Sequence, residues 1–418
     1  MKLLMRAAKN PLQPFSATET IRLNTIGNNS GNLMFAAATH ALLAVEGTTI
    51  DAIPSFREKD LAARVNEEYD GVIVPLANCF RPAFEPELRN LTRFIQGLKK
   101  PFAMMSGGAQ VEFNDPEFKG LEVIKPAVAA FCRAVLDKSD KITVRGETTA
   151  TYIRSLGFNE VEVIGCPSLS RMGREFQIHS GPSQFGSRLA YNVEVSKDLM
   201  GGLIERLESA GADLTYVPQD MKSLEMLVWN REVYPLSRDE KQPLHLSHRH
   251  MAPGRVKFFL DSSPWIDFMR TQDAALGPRI HGAVAAISAG TPALLIAHDT
   301  RTKELARYHG IPHILPSELE SIRGLDDLWA RLDYTEFNDS RHEQIDRVVN
   351  HLESNSFSTT LSKGKEPDRQ KYFSELANRR FPQAVSACEE SLENEKIAEL
   401  RRKVISYEAR LKNLERTR

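Results

Sequence analysis

Only four cysteines occur in 418 residues, Cys79, Cys132, Cys166 and Cys388, and no two form a CxxC pair. This argues against a disulfide framework or a zinc site and predicts reduced thiols. No run approaches the roughly 20 apolar residues that span a bilayer. The opening "MKLLMRAAKNPLQPF" has too few apolar residues before Arg6 for the core of a secretory signal. Charge of one sign is also missing: 54 Lys and Arg nearly cancel 55 Asp and Glu. A nucleic-acid partner is therefore not expected. These absences predict a soluble cytoplasmic protein, with attachment to the inner face of a membrane left open.

What is present is alternation. Short apolar runs alternate with helical patterns, the mark of parallel α/β architecture. In the first half, strands are expected at "TIRLNTIG", "GVIVPLA", "PFAMMSG", "KITVRG" and "VEVIG", with helices between them. From Arg171 to about Ser187 glycine, serine and proline break the periodicity, so a linker is expected there. The pattern then restarts with "RLAYNV", "DLTYVPQ", "RVKFFL", "AALG" and "PALLIAH" as strands. Two doubly wound domains are expected, over 18–170 and 187–362, followed by a helical tail over 363–418.

In the tail, Ile397, Leu400, Val404, Tyr407, Leu411 and Leu414 follow the 3,4,3,4,3 spacing of a coiled-coil seam. Either a self-associating helix, and so a homo-oligomer, or a surface helix packed on its own domain accounts for it.

Chemistry is expected beyond the carboxyl ends of parallel strands, where loops enter helices. "AALGPRIHGAVAAISAG" is such a junction. Its helix start offers unpaired N–H groups to an anion. Arg279 adds a planar cation, and His281 a group able to exchange a proton near neutral pH. Gly282 and the alanines after it let the helix approach the sheet. "KITVRGETTATYIRSLG" repeats the design, with Arg145 at a strand end and Thr148 and Thr149 in the next helix turn. Arg145 either faces Arg279 across a cleft or pairs with Glu147. "GNNSGN", with Asn28, Asn29, Gly31 and Asn32, and "SGGAQ", with Gly107 and Gly108, are either oxyanion cradles or tight turns. Neither has P-loop or dinucleotide-binding spacing. "HLSHRH", with His245, His248 and His250, lacks a nearby acidic partner and reads as a polar loop, so no metal is expected.

These segments carry a resemblance. "LGPRIHGAVAAISAGTPALLIAHDTRTKELARYHGIP" resembles the polysaccharide pyruvyltransferase family, with its R-x-H-G helix start, small-residue helix and G-x-P strand. "ITVRGETTATYIRSLG" with "VEVIGCPSL", and "GNNSGNLMFAAATHALL", are similar to the family's first-domain segments, so the likeness spans roughly residues 20–315. It implies a GT-B-like fold of two Rossmann-like domains around a cleft, the first on the acceptor side and the second holding most of the donor site. It also implies transfer of the enolpyruvyl unit of phosphoenolpyruvate onto two hydroxyls of a free or lipid-linked saccharide of a surface polysaccharide, giving a pyruvate ketal. Phosphoenolpyruvate is then the co-substrate, with no further cofactor. By motif position Arg279, Arg145 and Gly282 would bind the donor, and His281 would either move the proton or bind the donor phosphate directly. Many relatives read G-D where this chain has Gly31-Asn32.

Two other readings stand beside it: a GT-B-type glycosyltransferase using a nucleotide sugar, and a non-catalytic protein that binds a glycan or partner in the cleft.

Overall fold

The computed structural model describes all residues except 112, 114, 116, 180–185, 235–239, 388–391 and 417–418, with backbone alone at 409 and 411–416. Cys388 lies outside the described residues, and the other three cysteines are free and buried.

Two parallel sheets organise the chain. The first has the order β2 (Thr49–Ile53), β1 (Lys2–Arg6), β3 (Gly71–Pro75), β5 (Phe102–Met105). Beyond β5, a parallel bridge from Gly107 to Val144 adds the pair β7 (Ile142–Val144) and β8 (Val161–Val163). A short parallel pair, β4 (Asn78–Phe80) and β6 (Gly108–Ala109), lies beside it. The second sheet runs β10 (Asp213–Tyr216), β9 (Arg188–Tyr191), β11 (Ala274–Gly277), β12 (Ala293–Ile296), β13 (His313–Ile314), all parallel. This is the two-sheet, parallel α/β architecture that the alternating sequence predicts, arranged as the GT-B-like fold that the resemblance implies. No helix among the described residues is long and apolar enough to cross a membrane.

Three local expectations are corrected. "TIRLNTIG" does not form a strand. Ala17–Leu23 is a helix, started by a capping box in which Ser16 and Glu19 satisfy each other's backbone N–H groups. The strand in this region is β1, whose "LLM" is buried on both faces as a central parallel strand requires. It comes from residues ahead of the expected start at 18. "RVKFFL" contributes only isolated bridges, Val256 to Tyr216 and Phe258 to Val385.

The two halves are laced together. The helix Thr335–Ser354 follows the second sheet, yet Val348, Leu352 and Phe357 pack with Leu3, Met5 and Ile73 of the first. His351 Nε2 meets the Met104 carbonyl at 2.8 Å, and Thr360 bonds the carbonyls of Ala41 and Leu42. In the opposite sense, Ala17, Ile26 and Leu33 belong to the core of the second sheet. Part of the expected linker is docked as well: Ile178 is buried and bonded to Asn338.

Candidate active site

The carboxyl ends of both sheets open onto one cleft of about 980 Å³. Arg6 ends β1, Arg145 follows β7, Asp220 follows β10, and Arg279 and His281 follow β11, and all line it. Asn28, Asn29 and Asn32 close it from the loop before the helix Gly31–Leu43. Arginines from the two sheets therefore do face a common space, as the two arginine-bearing seams predict.

His281 sits in the first turn of the helix Ile280–Ala289, and its Nε2 is shielded from solvent without a hydrogen-bond partner. Burial, then the charges of Arg145, Arg301 and Arg279, push its pKa down to about 3. The ring is thus neutral at pH 7 while the cleft holds no anion. Gly31 makes room for it: a Cβ there would lie 2.5 Å from His281 Nδ1. The glycine of "GNNSGN" is thus needed for close approach.

Arg145 is buried beside that histidine. Its Nε donates to the Ser106 carbonyl at 3.1 Å, the guanidinium lies over Phe35 at 5.4 Å, and Nη2 has no partner. Burial, with Arg301 adding repulsion, lowers its pKa. The pairing with Glu147 does not occur, because Glu147 meets Arg154 at 3.2 Å. The turn that carries Thr149 is occupied by Glu304 from the other half, which accepts from Thr149 N at 3.1 Å and Oγ1 at 2.9 Å.

Arg279 is differently placed. Its Nη2 donates to both oxygens of Asp220 at 2.7 Å, and its Nε lies 3.3 Å from Glu194 Oε2. Burial pulls its pKa down, but the Asp220 and Glu194 carboxylates outweigh that and raise it. With two carboxylates on one guanidinium, this corner has no positive charge to spare.

Besides Gly31, three expected contributors sit outside the open space. Gly107 is in the sheet: its N–H bonds Thr143 and its carbonyl accepts from Arg145 N. Gly108 is packed so that a Cβ would meet the Ala77 carbonyl at 2.8 Å and Arg145 Cδ at 3.0 Å. Gly282 already donates its N–H to the Arg279 carbonyl, and a Cβ there would strike the Asn192 amide at 2.2 Å. These glycines permit close packing and do not cradle an anion. Asn32 likewise spends its amide on the carbonyls of Ile26 and Gly27, at 3.0 and 3.1 Å, holding the loop in shape.

Sequence reading missed several members. Arg301, in the first turn after β12, has Nη2 on Asp299 at 3.0 Å and an unpartnered buried Nε. Its position in "HDTRTKE" is a strand end entering a helix, the signal used for Arg145 and Arg279. Arg6 escaped because β1 did, and its Nε is also buried without a partner. Arg81 lines the cleft near enough to Arg301 for the repulsion to add to burial in lowering its pKa. On another wall Lys9 forms a buried ion pair with Asp261, whose Oδ2 has no partner and whose carboxyl is pushed up to about 6 by burial.

The histidine loop lies away from this cleft and does have an acidic partner. Glu208 accepts from His250 at 2.6 Å and pairs with Arg249 and Arg255, while His250 also meets Tyr191. His250 is fully buried in that network, so the segment is structural rather than a solvated loop. Among the described residues no three His, Cys, Asp or Glu are grouped to hold a metal ion.

A model of the polysaccharide pyruvyl transferase family matches residues 82–300, which carry both Arg145 and the Arg279–His281 seam. The chain belongs to this family. No curated protein matches it in sequence. Among solved structures, the Methanocaldococcus jannaschii UDP-GlcNAc 2-epimerase bound to UDP-GlcNAc and UDP is 10% identical at a TM-score of 0.45, covering 84% of this chain and 99% of its own. Anabaena Alr3699/HepE in complex with UDP gives 11%, 0.40, 91% and 100% for the same quantities. The glycosyltransferase SnogD from Streptomyces nogalater gives 13%, 0.34, 90% and 98%. For this pyruvyl transferase relative the residues of its own cleft are the guide to chemistry.

Proposed function

We propose that this family member transfers the enolpyruvyl unit of phosphoenolpyruvate to two hydroxyls of a saccharide, releasing phosphate and leaving a cyclic pyruvate ketal. The observation that carries this reading is the set of unpartnered buried nitrogens at one cleft: Arg145 Nη2, Arg301 Nε, Arg6 Nε and His281 Nε2. Leaving buried charged donors unpaired costs about 1–3 kcal/mol each or more. A small, densely anionic donor satisfies several of them together.

The residues divide the work accordingly. Arg145 and Arg301 hold the donor's phosphate and carboxylate. Arg279, fixed by Asp220 and Glu194, shapes the corner and lends a weaker contact than its motif position implies. His281 enters neutral, so it can accept a proton from an attacking hydroxyl and deliver it to the donor's methylene carbon. That protonation creates the electrophilic carbon to which the hydroxyl oxygen bonds. Loss of phosphate and attack by the second hydroxyl then close the ketal, and the second hydroxyl's proton leaves on phosphate. Asp261, with an unpartnered oxygen on the far wall, is suited to orient the acceptor's hydroxyls.

Calorimetric titration with phosphoenolpyruvate beside a panel of nucleotide sugars tests the reading. Selective binding of phosphoenolpyruvate is expected. Binding of a nucleotide sugar instead would make this cleft a glycosyltransferase site.

A further inference from the structure

The C-terminal helix Glu393–Arg416 is 24 residues long, about 36 Å at 1.5 Å per residue. It is fastened to the body by one face only. Glu399 is 7% exposed, pairs with Arg402 and lies 3.8 Å from Arg22, and the Lys403 ammonium sits 4.9 Å over the Trp229 ring. The adjoining face carries the heptad seam, and its four described members point into solvent. Ile397, Leu400, Val404 and Tyr407 are 43, 52, 55 and 60% exposed. The helix packs on its own domain, but not through the residues whose spacing called for burial.

We infer that this seam is the interface with a second copy of the same chain, as a parallel two-stranded coiled coil. Three features select that occupant. The 3,4,3,4,3 spacing is that of a helix-pair seam, and its described members are left uncovered by the chain's own body. The a positions are Ile397, Val404 and Leu411 and the d positions Leu400, Tyr407 and Leu414, so β-branched residues dominate at a and leucine at d, as two-stranded parallel coils favour. The flanking charges agree. By sequence position a parallel pair sets Arg410 against Glu415 of the partner subunit and Lys403, once it leaves the Trp229 ring, against Glu408 of the partner subunit, while Lys396 opposite Arg401 of the partner subunit is the one repulsive pairing. An antiparallel pair instead sets Lys396, Lys403 and Arg410 against one another. The body grips the helix beside the seam, through Glu399 and Lys403, and leaves Ile397, Leu400, Val404 and Tyr407 uncovered.

Light scattering on the full chain, combined with cysteine cross-linking, tests this. Wild type is expected at twice the 47.0 kDa of one chain, and Leu400→Glu/Val404→Glu at a single chain with an unchanged near-ultraviolet spectrum. Both positions are exposed, so the substitutions leave the body folded. Ile397→Cys and, separately, Val404→Cys are expected to cross-link to themselves on oxidation, beyond any background in wild type. A wild type that is monomeric at micromolar concentration overturns the inference. So does a dimer that survives the double substitution, or a dimer in which only one of the two cysteines cross-links.

Discussion

Arg279 Nη2 lies 2.7 Å from each oxygen of Asp220, and this single contact changes what the R-x-H-G seam can do. A guanidinium at a strand end reads, from sequence, as a free cation waiting for an anion. Here its charge is already matched by Asp220 and Glu194, two acids that follow β10 and β9. An anion's charge is left to Arg145, whose Nη2 has no partner, and to Arg301, whose Nε is free although its Nη2 bonds Asp299.

Asp220→Ala is expected to cost about 2 kcal/mol of stability, because Glu194 still compensates part of Arg279. Arg279→Ala should cost more, since it leaves two neighbouring carboxylates facing each other. Chemical denaturation of both variants checks the order. A smaller loss for Arg279→Ala would mean that the pair is not what holds this corner.

Gly31→Ala should damage turnover more than folding. The added methyl would lie 2.5 Å from His281 Nδ1 and 2.8 Å from Asn29 Oδ1, so the imidazole must move. A displacement of this size is expected to lower kcat at least 10-fold, with a stability loss of about 1–2 kcal/mol from overpacking. Steady-state kinetics with unchanged kcat would show that His281 does not need its present position.

Donor binding should take up a proton through His281. Without an anion its pKa is held down to about 3 by burial and by Arg145, Arg301 and Arg279. An anion bound among those arginines cancels their field and raises the pKa, while burial still holds it below its ordinary value. The ring therefore stays neutral at pH 7, and the uptake and the gain in affinity grow as pH falls into the acid range. Calorimetry in buffers of different ionisation enthalpy measures the uptake. It should shrink in His281→Asn, leaving only what the donor's phosphate itself contributes. Equal uptake in both proteins would count against a titrating His281.

Glu304 gives a stability prediction of definite sign. Burial raises its pKa to about 7, against the lowering by Thr149 and Arg145. The folded state therefore binds the proton more tightly than the unfolded chain. Its contribution is fully present below about 4.5 and is lost as pH rises to about 7, a change on the order of 3 kcal/mol. In Glu304→Gln the difference from wild type should follow this window in denaturation curves taken from pH 4.5 to 8. A flat difference would mean that the carboxyl is not strained by its burial between the two halves.

Much of this site was legible in the sequence because its signals are local. A strand end, a glycine and a helix start fall within a few residues at Val144–Thr149 and at Gly277–Gly282, and Arg145 of the first seam and Pro278, Arg279, Ile280 and His281 of the second line the cleft. What escaped depends on context. β1 hides because "LLM" between Lys2 and Arg6 is too short to show a period, and Arg6 was lost with it. Ala17–Leu23 was mistaken for a strand on its Thr and Ile content, although "SATE" spells the capping box that starts the helix. The Glu208–His250 pair joins residues 42 apart, and the Asp220–Arg279 pair residues 59 apart. No spacing rule brings such partners together; the order of strands in the sheet does.

The most direct test of the central claim is the affinity of phosphoenolpyruvate for wild type, Arg145→Ala and Arg279→Ala, measured side by side by calorimetry. The account predicts a loss of roughly 10- to 100-fold for Arg145→Ala, the value of one or two charge-assisted hydrogen bonds, and a smaller loss for Arg279→Ala. Full affinity in Arg145→Ala would contradict it, because the unpartnered arginine would then not be where the donor binds.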